Sequence, residues 1–155
     1  PQYIEEGDFT PATIELVAGG HVCDVRAGEY LGETDTIRTR LATGVAALYA
    51  VLPYRVAGVT VECAATIAAG ERLRVRCAVA AEGAAPGDHV VHVELADPEG
   101  TVIRPYAANV LAAGGAGEVE FALPLNARPG EWTVSAREVA SGVRDLRRVS
   151  VGPAR

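Results

Sequence analysis

The sequence predicts an all-β protein built mainly as an antiparallel β-sandwich. Two observations lead to this fold class. Apolar and polar residues alternate with a period of two through most of the chain, and turn-forming Gly, Pro and Asp residues interrupt the alternation at short intervals. At 155 residues, the chain can hold one domain, or a domain of about 100 residues with a smaller partial one.

The segment that begins at Arg72 shows the alternation most clearly. Four apolar residues share one face of the predicted strand: Leu73, Val75, Cys77 and Val79. Three arginines share the other face: Arg72, Arg74 and Arg76. Similar segments are 58–64, 89–95, 102–111, 118–123, 131–138 and 144–151. Seven or eight strands in about 100 residues is typical of an immunoglobulin-like sandwich, which we predict over residues 56–155.

The first 55 residues are less regular. Candidate strands are 12–17, 21–26, 35–41 and 45–52; the last could be a short helix, but Thr43-Gly44 and the β-branched flanks favour a strand. A few short strands make a poor core by themselves. We therefore predict a small partial β domain over residues 1–55, which packs on the sandwich, pairs with another chain or belongs to a larger domain.

Charge and hydropathy exclude some partners. The net charge of −6 argues against nucleic acid or an anionic membrane as the partner. No apolar run approaches the roughly 20 residues of a transmembrane helix. Because the chain begins at Pro1 rather than at Met, we expect that it has been processed or excised from a longer protein.

Residues for nucleophilic or metal-dependent catalysis are sparse. The serines are Ser135, Ser141 and Ser150, and none lies in a G-x-S-x-G motif. His89 and His92, three apart on one strand, point to opposite faces and cannot easily bind one metal. We expect all three histidines, including His21, to be surface imidazoles. The sequence therefore predicts no catalytic residue, no cofactor and no metal site.

Acidic and glycine-rich segments also favour structural roles. Glu118 and Glu120 share a strand face, but no aromatic residues for sugar binding accompany them. Four further acidic residues are close in sequence near the N-terminus, and they too lack accompanying aromatic residues for sugar binding: Asp24, Glu29, Glu33 and Asp35. Segment 114–117 lacks the Lys and Ser/Thr of a phosphate loop, and the turn at 97–100 offers too few oxygens for calcium.

Trp132 and the cysteines give two sharper predictions. Trp132 alternates in phase with Val134, which places the indole inside the sandwich as a core anchor rather than on a sugar-binding surface. If a hairpin turns about Gly70, Cys63 and Cys77 lie opposite each other, and we predict a disulfide between them, with two buried thiols as the alternative. Cys23 is then buried or pairs between chains.

Four segments carry a resemblance to a known group of proteins: GHVCDVRAGEYLGETDTIRTRLATG, LYAVLPYRV, DPEGTVIRPYAANVLAAGG and LNARPGEWTVSAREVASG. They resemble the C-terminal immunoglobulin-like regions of large secreted bacterial glycoside-hydrolase-like proteins. The resemblance implies an accessory role and an extracellular or cell-surface location. This chain departs from the pattern because it contains no catalytic domain and carries Cys23 where an aromatic residue is expected.

We therefore expect a non-catalytic extracellular module that contacts other protein chains or domains. One alternative is a self-assembling subunit of a filament or surface layer, in which copies of the chain exchange strands. Another is a carbohydrate-binding module that takes a polysaccharide, although a single inward-facing Trp weighs against it.

Overall fold

The structure is a computed structural model, and it describes residues 9–154. Eleven strands make up this part of the chain: β1 (Phe9–Asp24), β2 (Glu29–Ala42), β3 (Tyr49–Leu52), β4 (Val56–Cys63), β5 (Thr66–Ala68), β6 (Arg72–Ala81), β7 (His89–Ala96), β8 (Val102–Ala112), β9 (Ala116–Ala122), β10 (Gly130–Glu138) and β11 (Arg144–Gly152). The described residues contain no helix, hence none that could cross a membrane. The predicted all-β class is confirmed.

Strands β4 to β11 form the two sheets of the sandwich. One sheet has the order β4-β6-β9, and the other has the order β5-β11-β10-β7-β8. Most neighbours are antiparallel, but the three-residue β5 runs parallel to β11. The chain therefore leaves the first sheet after β4 and joins the edge of the second one.

The core lies between these two sheets and follows from the alternation of the strands. Every second residue of β6, from Leu73 to Val79, is buried, while the arginines between them are exposed. On the facing sheet, Val91, Val93 and Leu95 of β7 are fully buried. The apolar set read from the sequence is therefore the set that forms the core.

The pairing of β4 with β6 does not have the predicted register. Val61 is opposite Cys77, and Cys63 is opposite Val75, so each pair is offset by two residues from a hairpin about Gly70. The cause is β5, which lies between the two strands in sequence and pairs with the other sheet. The predicted disulfide between Cys63 and Cys77 is wrong: both thiols are free, as is that of Cys23.

We expect thiol titration of the denatured, unreduced protein to find three reactive groups per chain, because each cysteine is free. Burial raises the pKa of all three thiols, so in the folded protein at neutral pH they should react slowly. Titration with and without denaturant measures both properties. Finding only one reactive thiol in the denatured protein would instead support the predicted disulfide.

The N-terminal region forms a third sheet with the order β2-β1-β3. Predicted strand 12–17 and residues 21–24 of predicted strand 21–26 belong to the single strand β1, whose pairing with β2 is irregular between Glu15 and Gly20. Phe9 and Asp24, at the two ends of β1, line the same small cavity, which shows that the sheet is curled. Of the predicted strand 45–52, only Tyr49–Leu52 is a strand. Residues 1–8 of the predicted N-terminal domain lie outside the described residues.

The curled sheet has its own buried residues and meets the sandwich at a tight contact. Val22, Cys23 and Ile37 are buried but do not belong to the core cluster of the sandwich. The turn after β1 packs against the turn between β10 and β11, where a Cβ at Gly142 would be 2.5 Å from the Gly28 carbonyl oxygen. Glycine is required at residue 142, since its φ of 75° is also unfavourable for other residues.

Candidate functional site

The strongest candidate site is a buried polar network beside this contact. Four side chains form it: Tyr54, His89, Glu138 and Ser141. All of them are buried, although a carboxylate and an imidazole are costly to remove from water. They come from the segment between β3 and β4, the start of β7, the end of β10 and the following turn. We call this set the joint network.

Glu138 is the centre of the joint network and accepts four hydrogen bonds. Its Oε2 accepts from the backbone N–H and the hydroxyl of Ser141, both at 2.6 Å. Its Oε1 accepts from the Ala140 N–H at 3.0 Å and lies 3.2 Å from Nδ1 of His89. The carboxylate is only 1% exposed, so these donors replace the water that it loses on folding.

The rest of the network has one consistent direction of donation. Because the Glu138 carboxylate can only accept, Nδ1 of His89 carries the proton that it donates. In the neutral imidazole, Nε2 is then an acceptor, and the Tyr54 hydroxyl donates to it across 2.9 Å. The Tyr54 oxygen in turn accepts from the Gly87 N–H at 2.6 Å. We infer this tautomer from the partners of the ring.

The electrostatics of the network keep Glu138 ionised. Burial alone raises the pKa of Glu138, but the hydrogen bonds from Ser141, Ala140 and His89 outweigh it, so the net pKa is below its usual value. The pKa of the Cys23 thiol is raised, first by burial and then by the negative charge of Glu138. The network therefore holds a buried carboxylate next to the N-terminal sheet.

The geometry of the network does not support nucleophilic catalysis. In a serine hydrolase the hydroxyl donates to the imidazole, which takes its proton. Here the Ser141 hydroxyl donates to Glu138 instead, and His89 is occupied by Glu138 and Tyr54. Every donor and acceptor in the set already has a partner inside the protein. The arrangement can fix the segment 53–55 and two loops to each other.

Sequence reasoning missed this network, although a signal for it was present. His89 is in phase with the buried Val91, and Glu138 is in phase with the buried Ala136, so alternation predicts that both polar side chains point inward. The expectation of a surface imidazole is therefore wrong for His89, which is 4% exposed. His92 lies on the outer face, as expected, where Nδ1 is 2.8 Å from Asn109 Oδ1.

Glu118, Glu120 and Asp97, which were considered for catalysis or calcium binding, have structural partners. Glu120 lies 2.7 Å from Arg74, which lowers its pKa, and Glu118 lies 3.3 Å from Arg76. Asp97 Oδ1 accepts from the backbone N–H groups of Glu99 and Thr101, which fixes the turn. In the described part of the chain, no cluster of three or more His, Cys, Asp or Glu residues could hold a metal ion.

Trp132, the predicted core anchor, lies between the two sheets of the sandwich and is 3% exposed. Its Nε1 donates to the Arg128 carbonyl oxygen at 2.9 Å, and its ring centroid lies 6.4 Å from that of Tyr106. The polar end of the indole is therefore satisfied and the rest is packed on apolar side chains. No face of the ring is presented as a binding surface.

No protein-family model and no curated protein matches the chain. Among solved structures, it is similar to a Salmonella α-2-macroglobulin, with a TM-score of 0.52 and 16% identity over 89% of this chain and 11% of that one. A DUF4785 family protein from Legionella pneumophila has a TM-score of 0.49 and 11% identity over 91% of this chain and 56% of that one. A β-glucosidase from Listeria innocua has a TM-score of 0.41 and 20% identity over 63% of this chain and 16% of that one.

These likenesses bear on the fold alone. At 16% identity, the macroglobulin supports a β-sandwich and nothing about activity, and the two likenesses with TM-scores below 0.5 carry no argument. The chain spans only 11% of the macroglobulin and 16% of the β-glucosidase. What it is similar to is therefore a small part of each of these larger proteins.

Proposed function

We propose that this chain is a non-catalytic β-sandwich module that contacts another protein chain or domain through its N-terminal sheet, outside the cell. The observation that carries the proposal is the distribution of exposed apolar side chains. Of the thirteen large ones among the described residues, eight lie within the first 51 residues: Phe9, Val17, Tyr30, Leu31, Leu41, Val45, Leu48 and Val51. Large exposed apolar side chains are thus more frequent in this region than on the sandwich, and apolar surface of this kind, where it is contiguous, marks protein contact sites.

The occupant that fits this surface is a neighbouring β domain of a larger assembly. Only residues 21–24 of the sixteen-residue β1 pair with β3, and β2 is an edge strand, so the sheet is only partly covered in the described chain. An adjoining domain would cover the apolar side chains and the open backbone edge together. The resemblance to C-terminal regions of secreted hydrolase-like proteins supports the accessory role and the extracellular location.

The non-catalytic part of the proposal is supported by the joint network. Its serine, imidazole and carboxylate are buried, and the hydroxyl donates to the carboxylate instead of to the imidazole. The paired carboxylates on the outer sheet face, Glu118 and Glu120, are held by arginines. In both arrangements the reactive groups are already held by other groups of the protein.

Self-assembly is the second candidate, and the long edge strand β2 favours it. β2 has fourteen residues and contains no proline, whereas the edge strand β8 of the sandwich contains Pro105. An edge strand can pair with a strand from another copy, because its N–H and C=O groups are open on one side. In this case the partner of the N-terminal sheet would be the same sheet of a second chain.

Photo-crosslinking in the cells that produce the protein tests the proposal. A photoreactive residue at Val51 or Leu48 should crosslink to one defined protein at both positions, and mass spectrometry identifies it. The same residue at Leu125 or Leu146, which are also exposed but lie on the sandwich, is the matched control and should give no such product.

The mass of the crosslinked product separates the candidates. A product with a different protein supports the accessory module, whereas twice the mass of the chain supports self-assembly. Equal crosslinking at all four positions, or none at Val51 and Leu48, would contradict a contact through the N-terminal sheet.

A further inference from the structure

The outer face of the five-stranded sheet carries two arginines without a counter-ion. Arg137 on β10 and Arg144 on β11 are directly opposite each other in the antiparallel ladder. Among the described residues, neither has an acidic oxygen within 4.0 Å. Like charges directly opposite each other destabilise an antiparallel pair. The arrangement is unfavourable unless an anion covers it.

Each arginine has an acidic neighbour in sequence that cannot reach it. Glu138 follows Arg137 and Asp145 follows Arg144, but alternation along a strand turns both carboxylates away from the outer face. Glu138 is the centre of the joint network, and Asp145 Oδ2 accepts from the Val61 N–H at 2.9 Å. The backbone geometry therefore leaves the two guanidinium groups unneutralised on the surface.

The basic row extends to a third strand. His92 on β7 is opposite Arg137, on the same outer face. On the same outer face, the Glu94 carboxylate accepts from the Ser135 hydroxyl at 3.3 Å and lies 3.6 Å from His92 Nε2. Glu94 thus has partners other than the arginines. We call Arg144 and Arg137, with His92 beside them, the basic row; the imidazole of His92 already lies against Asn109 and Glu94, so the two arginines carry its free charge.

We propose that the basic row binds an extended acidic segment of a partner protein through its carboxylates. Neighbouring strands are about 4.8 Å apart, and carboxylates two residues apart on an extended chain are separated by about 6.6 Å, a distance that flexible arginine side chains can match. The guanidinium group pairs with a carboxylate through two parallel hydrogen bonds.

This surface is separate from the apolar N-terminal sheet, so the inference does not depend on the proposed function. The two surfaces belong to different sheets of the structure. If the test of one surface fails, the proposal for the other surface still stands.

An NMR titration of the full chain with hexaglutamate at low ionic strength tests the proposal. We expect saturable shifts of the amide signals around Arg137, Arg144 and His92, and none with hexaglutamine. The Arg137→Gln/Arg144→Gln variant should bind hexaglutamate at least tenfold more weakly. The matched control is Arg72→Gln/Arg76→Gln, which removes the same charge from the outer face of the other sheet and should bind nearly as the parent does.

Equal weakening in both double variants would show attraction by net charge alone and would overturn the proposal. Shifts produced by inorganic phosphate or sulfate but not by hexaglutamate would assign the row to small anions instead. Arg144→Glu supplies an independent check, because it replaces repulsion with attraction: Tm should rise by about 1–3 °C, while hexaglutamate binding is lost. An unchanged or lower Tm would contradict the unfavourable pairing from which the inference starts.

Discussion

Trp132→Ala should unfold or severely destabilise the sandwich. The indole is 3% exposed and packs between the two sheets near Tyr106, so its removal leaves a cavity that the rigid strands cannot fill. Truncation of a buried aromatic residue typically costs about 3–5 kcal/mol, against a total stability of about 5–15 kcal/mol for a domain. Thermal and urea denaturation, followed by far-UV circular dichroism, measures the loss.

Two further variants make this result specific. Trp132→Phe keeps a ring but loses the hydrogen bond from Nε1 to the Arg128 carbonyl oxygen, so it should lie between the parent and the alanine variant. Leu125→Ala removes an exposed side chain of the sandwich and should leave Tm nearly unchanged. If Trp132→Ala also kept its Tm and the protein lost polysaccharide binding, the core assignment would be wrong and a carbohydrate-binding role would return.

The sandwich could be predicted from the sequence because its core depends on local alternation. In β6 and β10, the residue that is buried can be read directly from its neighbours, and this gave both the strands and the position of Trp132. The register of β4 against β6 could not be read in this way. It depends on the three-residue β5, whose partner β11 is about 80 residues away and leaves no local pattern.

The N-terminal sheet and the joint network were harder to predict, for different physical reasons. The irregular pairing between Glu15 and Gly20 interrupts the alternation of β1, so one long strand has the pattern of two short ones. The joint network depends on four side chains brought together by three separate parts of the fold. Alternation shows that His89 and Glu138 point inward, but not that they meet, since they are 49 residues apart.

Glu138→Gln should cost about 2–4 kcal/mol in the free energy of unfolding. The change keeps the shape of the side chain but replaces one acceptor oxygen with an amide group that donates. Four donors converge on the carboxylate, from Ser141, Ala140 and His89, so at least one of them would face another donor in a buried site. Glu131→Gln, on the same strand but exposed and paired with Arg148, is the matched control and should change stability little.

The pH dependence of stability distinguishes the buried charge from a purely steric effect. Since the pKa of Glu138 is lower in the folded protein than its usual value of 4.5, the unfolded chain binds the proton more tightly. Its contribution is fully present above that value and is lost as the pH falls through the lower folded pKa. Urea denaturation between about pH 3 and pH 7 should therefore show a steeper acid loss in the parent than in Glu138→Gln, with Glu131→Gln following the parent. Parallel pH profiles for the parent and Glu138→Gln would show that the carboxylate is not held as a charged group, and the assignment of the joint network as a buried ionic centre would fail.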